Sequence, residues 1–185
     1  MFQQLILELI SHSERFPLEK VFCDKIIWLI EDFGEFAFQN QNWVGHITAS
    51  CLIMNQERTK VLLMMHKKLK KWLQFWGHSD GDIDTLATAI REFHEESGIT
   101  IEPNIIPGIF NVDIHDIPED IKWRPAHKHF DILYLATISE STPFAPQESE
   151  VDDMRWFDIV WIEKYVGEKR MLDMINKIKK FHSYV

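Results

Sequence analysis

Glycine and proline are scarce, seven of each in 185 residues, and cysteine is scarcer, with two. So few breakers and no low-complexity tract exclude a long disordered chain. Cys23 and Cys51 lie far apart and fit no metal-ligand spacing. Cys51 sits in an apolar stretch and reads as a buried thiol, which suits a reducing cytoplasm. Positive charge is in deficit: 20 Lys and Arg stand against 29 Asp and Glu, a net −9. That balance argues against a nucleic-acid polymer as partner. An acidic protein can still take a phosphorylated small molecule when a metal and local basic groups bridge the repulsion. No apolar run approaches the roughly 20 residues of a membrane span. The first residues lack a basic segment and a cleavage site, so no secretory signal is expected.

What remains is 45% hydrophobic residues, enough for one well-buried domain with an appendage. Residues 2–39 read as helical, with Leu5, Leu9 and Ile10 at helical spacing. Pro17 suits the first turn of a second helix, and Gly34 ends or loosens it. Residues 46–54 and 61–66 read as strands joined by a polar turn at 55–58. The stretch 105–114 reads as extended but interrupted at Pro107-Gly108. The stretch 118–125 reads as a loop, 127–138 as a strand, and 140–150 as an acidic loop. A short strand at 154–157 and a closing amphipathic helix at 168–182 complete the chain. Strands mixed with helices predict an α+β or layered α/β/α domain.

The strongest local signal is Gly77-His78-Ser79-Asp80-Gly81-Asp82, followed by Arg91-Glu92-Phe93-His94-Glu95-Glu96-Ser97-Gly98-Ile99. Glu92, Glu95 and Glu96 stand at i, i+3 and i+4, so all three project from one helical face. A fold tolerates such a cluster best when a cation neutralises it, and hard cations take oxygen ligands. Arg91 is the adjacent counter-charge, and Gly98 reads as the helix stop.

This constellation resembles the Nudix box, G-x5-E-x7-R-E-U-x-E-E-x-G-U with U apolar. The spacing from Gly77 to Ile99 is intact. Ile83 stands where the pattern has glutamate, although Asp80, Asp82 and Asp84 crowd the same turn, and Trp76 replaces a frequent second glycine. The wider run from His66 to His78, with Trp72-Leu73-Gln74, and the downstream Pro125-x-His127-x-His129-x-Asp131 resemble a subgroup of that family.

The resemblance implies a Nudix α/β/α sandwich with a mixed sheet at 43–185, preceded by an N-terminal helical extension at 1–42. That extension could simply pack against the domain, cap it, pair across a homodimer or form part of a substrate pocket. The resemblance also implies Mg²⁺ or Mn²⁺ on Glu92, Glu95 and Glu96, and hydrolysis of a nucleoside diphosphate linked to another moiety. Glu92 or a loop carboxylate, Glu148 before Glu150, would serve the attacking water, and Arg91 would orient the glutamates. Gly77, His78, Lys71, His127 and His129 are the candidate substrate contacts. Lys67, Lys68, Lys70 and Lys71 could steer an anion or form a solvated turn. Trp72, Phe75 or Trp76 could stack on a base. His127 and His129 share a strand face with Asp131 and could bind metal, contact phosphate or shuttle a proton.

Two other functions compete. Ile83 could mark a box that has lost turnover, leaving a ligand-binding or regulatory protein. An isopentenyl-diphosphate isomerase shares the fold, but Cys51 lacks the polar context of its catalytic cysteine. Markers outside the box for ADP-ribose, dinucleoside polyphosphate and NADH enzymes are not seen, so the substrate is not specified by them.

Overall fold

The computed structural model describes residues 2–119 and 124–182. Part of the expected 118–125 loop and the last three residues lie outside that range. The helices are α1 (Gln3–Arg15), α2 (Lys20–Phe33), α3 (Thr85–Ser97) and α4 (Lys169–His182). The strands are β1 (His46–Asn55), β2 (Lys60–His66), β3 (Lys71–Leu73), β4 (Phe75–His78), β5 (Asn104–Ile117), β6 (His127–Ile138) and β7 (Val151–Asp158). They belong to one seven-stranded sheet in the order β3-β2-β1-β6-β5, with β4 on β1 and β7 on β2. Helices with a sheet of this kind are the α+β class expected from the sequence.

Three differences from the sequence reading have physical causes. The run Lys71–His78 is two short strands, so Gly77 and His78 end β4 and the loop begins at Ser79. Pro107 does not interrupt β5, because β5 closes the strand order at an edge, where a missing N–H costs no ladder bond. Gly108 takes φ +87° within that strand. β7 is longer than expected because it pairs with β2 over nearly its whole length, Leu62 opposite Trp156 and Met64 opposite Met154.

Chain contacts group the molecule into two compact units. The first comprises Met1–Ser50, Trp76–Arg91 and Pro107–Tyr134. Leu9, Ile26, Leu29, Ile30 and Phe38 are buried there, as are Ile47 and Ile132 from the strands. The N-terminal segment is tied into this unit by polar contacts. His12 reaches the Ile109 carbonyl at 2.9 Å and the Glu19 carboxylate at 2.7 Å. Glu19 also accepts from the Val112 amide at 3.2 Å. Gly34 ends α2 at φ +57°, its amide bonded to the Ile30 carbonyl.

The second unit comprises Cys51–Phe75, Glu92–Ile106 and Leu135–Val185. Its core includes Leu62, Met64, Phe75, Phe93, Met171 and Ile175. The Phe75 and Phe93 rings meet edge to face at 5.2 Å between centroids, a geometry favoured by the ring quadrupoles.

Candidate active site

The loop ahead of α3 is built from its own acidic residues. Asp84 caps the helix: its Oδ1 accepts the Ala87 amide at 2.9 Å. Asp82 Oδ1 accepts the Asp84 amide at 2.9 Å, and Asp80 Oδ1 accepts from the Asn40 side chain at 3.1 Å. These carboxylates shape the turn. Gly81 has φ +92°, and a Cβ there would lie 2.4 Å from Gln39 Nε2. Its amide donates to the Phe38 carbonyl at 2.9 Å. The N-terminal segment therefore buttresses the loop. Arg91 donates to the His78 carbonyl at 2.9 Å and so ties the helix to the end of β4.

At the other end of α3, Glu92 is half-buried, Glu95 is exposed and Glu96 is only 2% exposed. The helix stops at Gly98, φ +66°, where a Cβ would lie 2.1 Å from the Ala145 carbonyl oxygen. Glycine is required twice at that position, for the left-handed backbone and for the close approach. The approach is used: Ala145 donates its amide to the Ser97 carbonyl at 3.0 Å, and Gln147 to the Glu96 carbonyl at 3.1 Å. The acidic loop carrying Glu148 and Glu150 is thus hydrogen-bonded to the end of the glutamate helix.

The lysine tract is largely committed to that loop and to its neighbours. Lys67 Nζ donates to the Glu148 carbonyl at 2.7 Å, and Lys70 pairs with Asp152 at 2.5 Å. Lys71 pairs with Glu168 at 2.6 Å, and this hydrogen bond holds the Glu168 carboxyl below its ordinary range. Lys70, Lys71, Trp72 and Glu168 line a cavity of about 280 Å³. Phe75 is fully buried and is therefore no base-stacking residue. Trp72 packs edge to face on Phe157 at 4.7 Å. Trp76 keeps ring contacts with His78 and His129, at 6.0 and 5.6 Å.

In the first unit, His127 and His129 join His46, a residue that the sequence reading did not single out. One ligand atom from each of the three rings lies within 4.8 Å of the others. The signal was present in β1, where His46, Thr48 and Ser50 alternate with Ile47 and Ala49. Residues two apart on a strand share a face. Thr48 and Ser50 both donate to the Asp131 carboxylate, at 2.8 and 2.5 Å. A polar stripe thus runs along β1 and β6. Burial raises the Asp131 pKa, opposed by these two hydrogen bonds.

The NUDIX domain family model matches residues 45–177, well over half of the chain. The chain belongs to the Nudix hydrolase family. Among the relatives of this Nudix hydrolase is a Lactococcus lactis subsp. cremoris protein named "Probable DHNTP pyrophosphohydrolase". It is 31% identical over 134 residues, 72% of this chain and 75% of the relative. A Clostridium perfringens hydrolase of the NUDIX family is 26% identical with a TM-score of 0.53, over 74% of this chain and 97% of that one. The E. coli dihydroneopterin triphosphate pyrophosphohydrolase shares the fold, with a TM-score of 0.59 over 75% of this chain and 96% of that one, at 14% identity.

Nudix hydrolases generally use divalent metals, and the donors on α3 fit a hard cation in kind. All three are carboxylates on one helical face, and one of them is buried. Among the described residues, a second candidate group of three ligands is formed by His46, His127 and His129.

Proposed function

We propose that this Nudix hydrolase cleaves a phosphoanhydride in a nucleoside diphosphate linked to another moiety, with Mg²⁺ or Mn²⁺ held by Glu92, Glu95 and Glu96. The observation that carries the reading is the hydrogen-bonded junction of α3 with the loop bearing Glu148. Three helix carboxylates and a mobile-proton acceptor come from adjoining backbone there. The bound ion would polarise a phosphoryl oxygen and lower the pKa of a water. Glu148 would orient a water and take its proton as the water oxygen bonds to phosphorus and the bridging P–O bond of the anhydride breaks, the leaving phosphate departing with the electron pair. Gly98 lets the loop lie against the helix, and the Ala145 and Gln147 amides hold it there. Arg91, bonded to the His78 carbonyl, positions the helix rather than clamping substrate. Residues 43–185 are the catalytic domain in this reading, and residues 1–42 support the loop before α3. The pterin triphosphate named for two of the relatives places a triphosphate on a purine-like bicycle, so dihydroneopterin triphosphate belongs beside nucleotides among the substrates to test.

A second reading, a weakened ligand-binding or regulatory protein, is favoured by Ile83. The aspartates around it already serve as caps and turn acceptors. Steady-state kinetics of Glu148→Gln separate the two. The hydrolase reading expects kcat to fall by about 10²–10⁴-fold, the range of general acid–base catalysis, with KM nearly unchanged. An unchanged kcat removes Glu148 from the mechanism. Ligand binding without metal-dependent turnover in the wild-type protein supports the second reading.

A further inference from the structure

The carboxylate chemistry leaves the histidine cluster unused. His46, His127 and His129 are 1%, 7% and 3% exposed, so their rings are withdrawn from water. Hydrogen bonding fixes two of the three tautomers. His127 Nδ1 stands 2.7 Å from the Pro125 carbonyl oxygen, and His46 Nδ1 stands 3.4 Å from that of Asn42. A carbonyl only accepts, so each Nδ1 carries the proton and each Nε2 presents a lone pair. His46 Nε2 is buried without a hydrogen-bond partner, and so is His129 Nδ1. A buried polar atom without a partner has lost its hydration and gained nothing in return, so two in one cluster call for a ligand.

We propose that His46, His127 and His129 bind a divalent transition ion of the zinc class, at a site separate in residues and in chemistry from the glutamates of α3. Imidazole nitrogen suits zinc, copper and nickel, whereas magnesium takes oxygen. Carbonyl backing of Nδ1 is the outer-shell arrangement that orients metal-binding imidazoles. On a tetrahedral ion with Zn–N of about 2.0–2.1 Å, the nitrogens stand about 3.4 Å apart. From at most 4.8 Å, the rings need only modest rotation to close on it. Three protein nitrogens leave a fourth tetrahedral position, the open arrangement of zinc sites that take an exogenous ligand. The His78 ring lies beside the cluster, with centroids 5.2 Å from His46 and 5.1 Å from His129.

The test uses the full chain, stripped with chelator and titrated with ZnCl₂ by calorimetry in saturating Mg²⁺. In parallel, CoCl₂ is added and the visible spectrum read. One tight zinc equivalent and an intense tetrahedral cobalt spectrum are expected. His46→Asn and His129→Asn should each weaken zinc binding by more than about 100-fold, beyond what outer-shell changes cost. A Glu92→Gln, Glu95→Gln, Glu96→Gln variant should retain it. Far-ultraviolet circular dichroism checks that each variant folds. Should a histidine variant fail to fold, X-ray absorption of the cobalt-loaded wild-type protein still decides. Imidazole scattering supports the site, and oxygen-only scattering overturns it. Wild-type zinc binding no tighter than millimolar, or binding lost with the glutamates and kept without the histidines, also overturns it.

Discussion

The two ends of the molecule's chemistry differ in donor, burial and origin. The glutamates of α3 offer hard oxygens from one continuous helix, graded from exposed Glu95 to buried Glu96. The histidines offer borderline nitrogens from two strands, all buried, with two tautomers fixed by backbone carbonyls. A helix brings i, i+3 and i+4 to one face without help from the rest of the fold. A strand pair does so only after residues far apart in sequence have met, as Thr48 and Asp131 do across 83 positions. The first kind of site is written locally, and the second is a product of folding.

The largest break in this comparison is expected at Gly98. Gly98→Ala combines a left-handed backbone, worth about 1–2 kcal/mol, with a clash of about 1–3 kcal/mol against the Ala145 carbonyl. Urea denaturation should show a loss of about 3 kcal/mol, and the displaced loop should cost kcat. Full stability would mean that the loop does not rest on the helix end.

The histidine side is sharpened by Asp131. Asp131→Ala strands the Thr48 and Ser50 hydroxyls inside the protein, a loss of about 2 kcal/mol by the same measurement. Asp131→Asn keeps an acceptor and should lose less than half of that. Equal losses in the two variants would show that the site needs a carboxylate and not merely a hydrogen-bonding group. The smallest effect belongs to the cap. Asp84→Ala should lower stability by about 1 kcal/mol, read from the same curves. No change would mean that the α3 terminus finds another acceptor.

Much of this was legible in the chain. The box predicted α3, its stop at Gly98 and the face carrying the glutamates, because each depends on neighbours within a few residues. The hairpin of β1 with β2 and the closing helix α4 were legible for the same reason. β3 and β4 were not, since strands of three and four residues carry too little periodicity to be seen. His46 was passed over because its role depends on β1 lying beside β6. The lysines looked free in sequence, yet Lys67, Lys70 and Lys71 each find a partner in 148–168, which only tertiary structure supplies. Conversely, Ile83 stands out in the sequence, and the structure gives the aspartates around it capping duties instead of a replacement ligand.

The most direct test measures phosphate or pyrophosphate release from nucleoside triphosphates, dihydroneopterin triphosphate, nucleotide sugars, ADP-ribose and dinucleotides, with Mg²⁺, with Mn²⁺ and with chelator. A Glu95→Gln, Glu96→Gln variant is run beside the wild-type protein. Turnover on at least one phosphoanhydride, abolished by chelator, is expected. In the variant kcat/KM should fall by about 1000-fold or more, matching the several kcal/mol that a catalytic metal supplies. Turnover that survives both chelator and the double substitution would contradict the assignment of α3 as the catalytic metal helix.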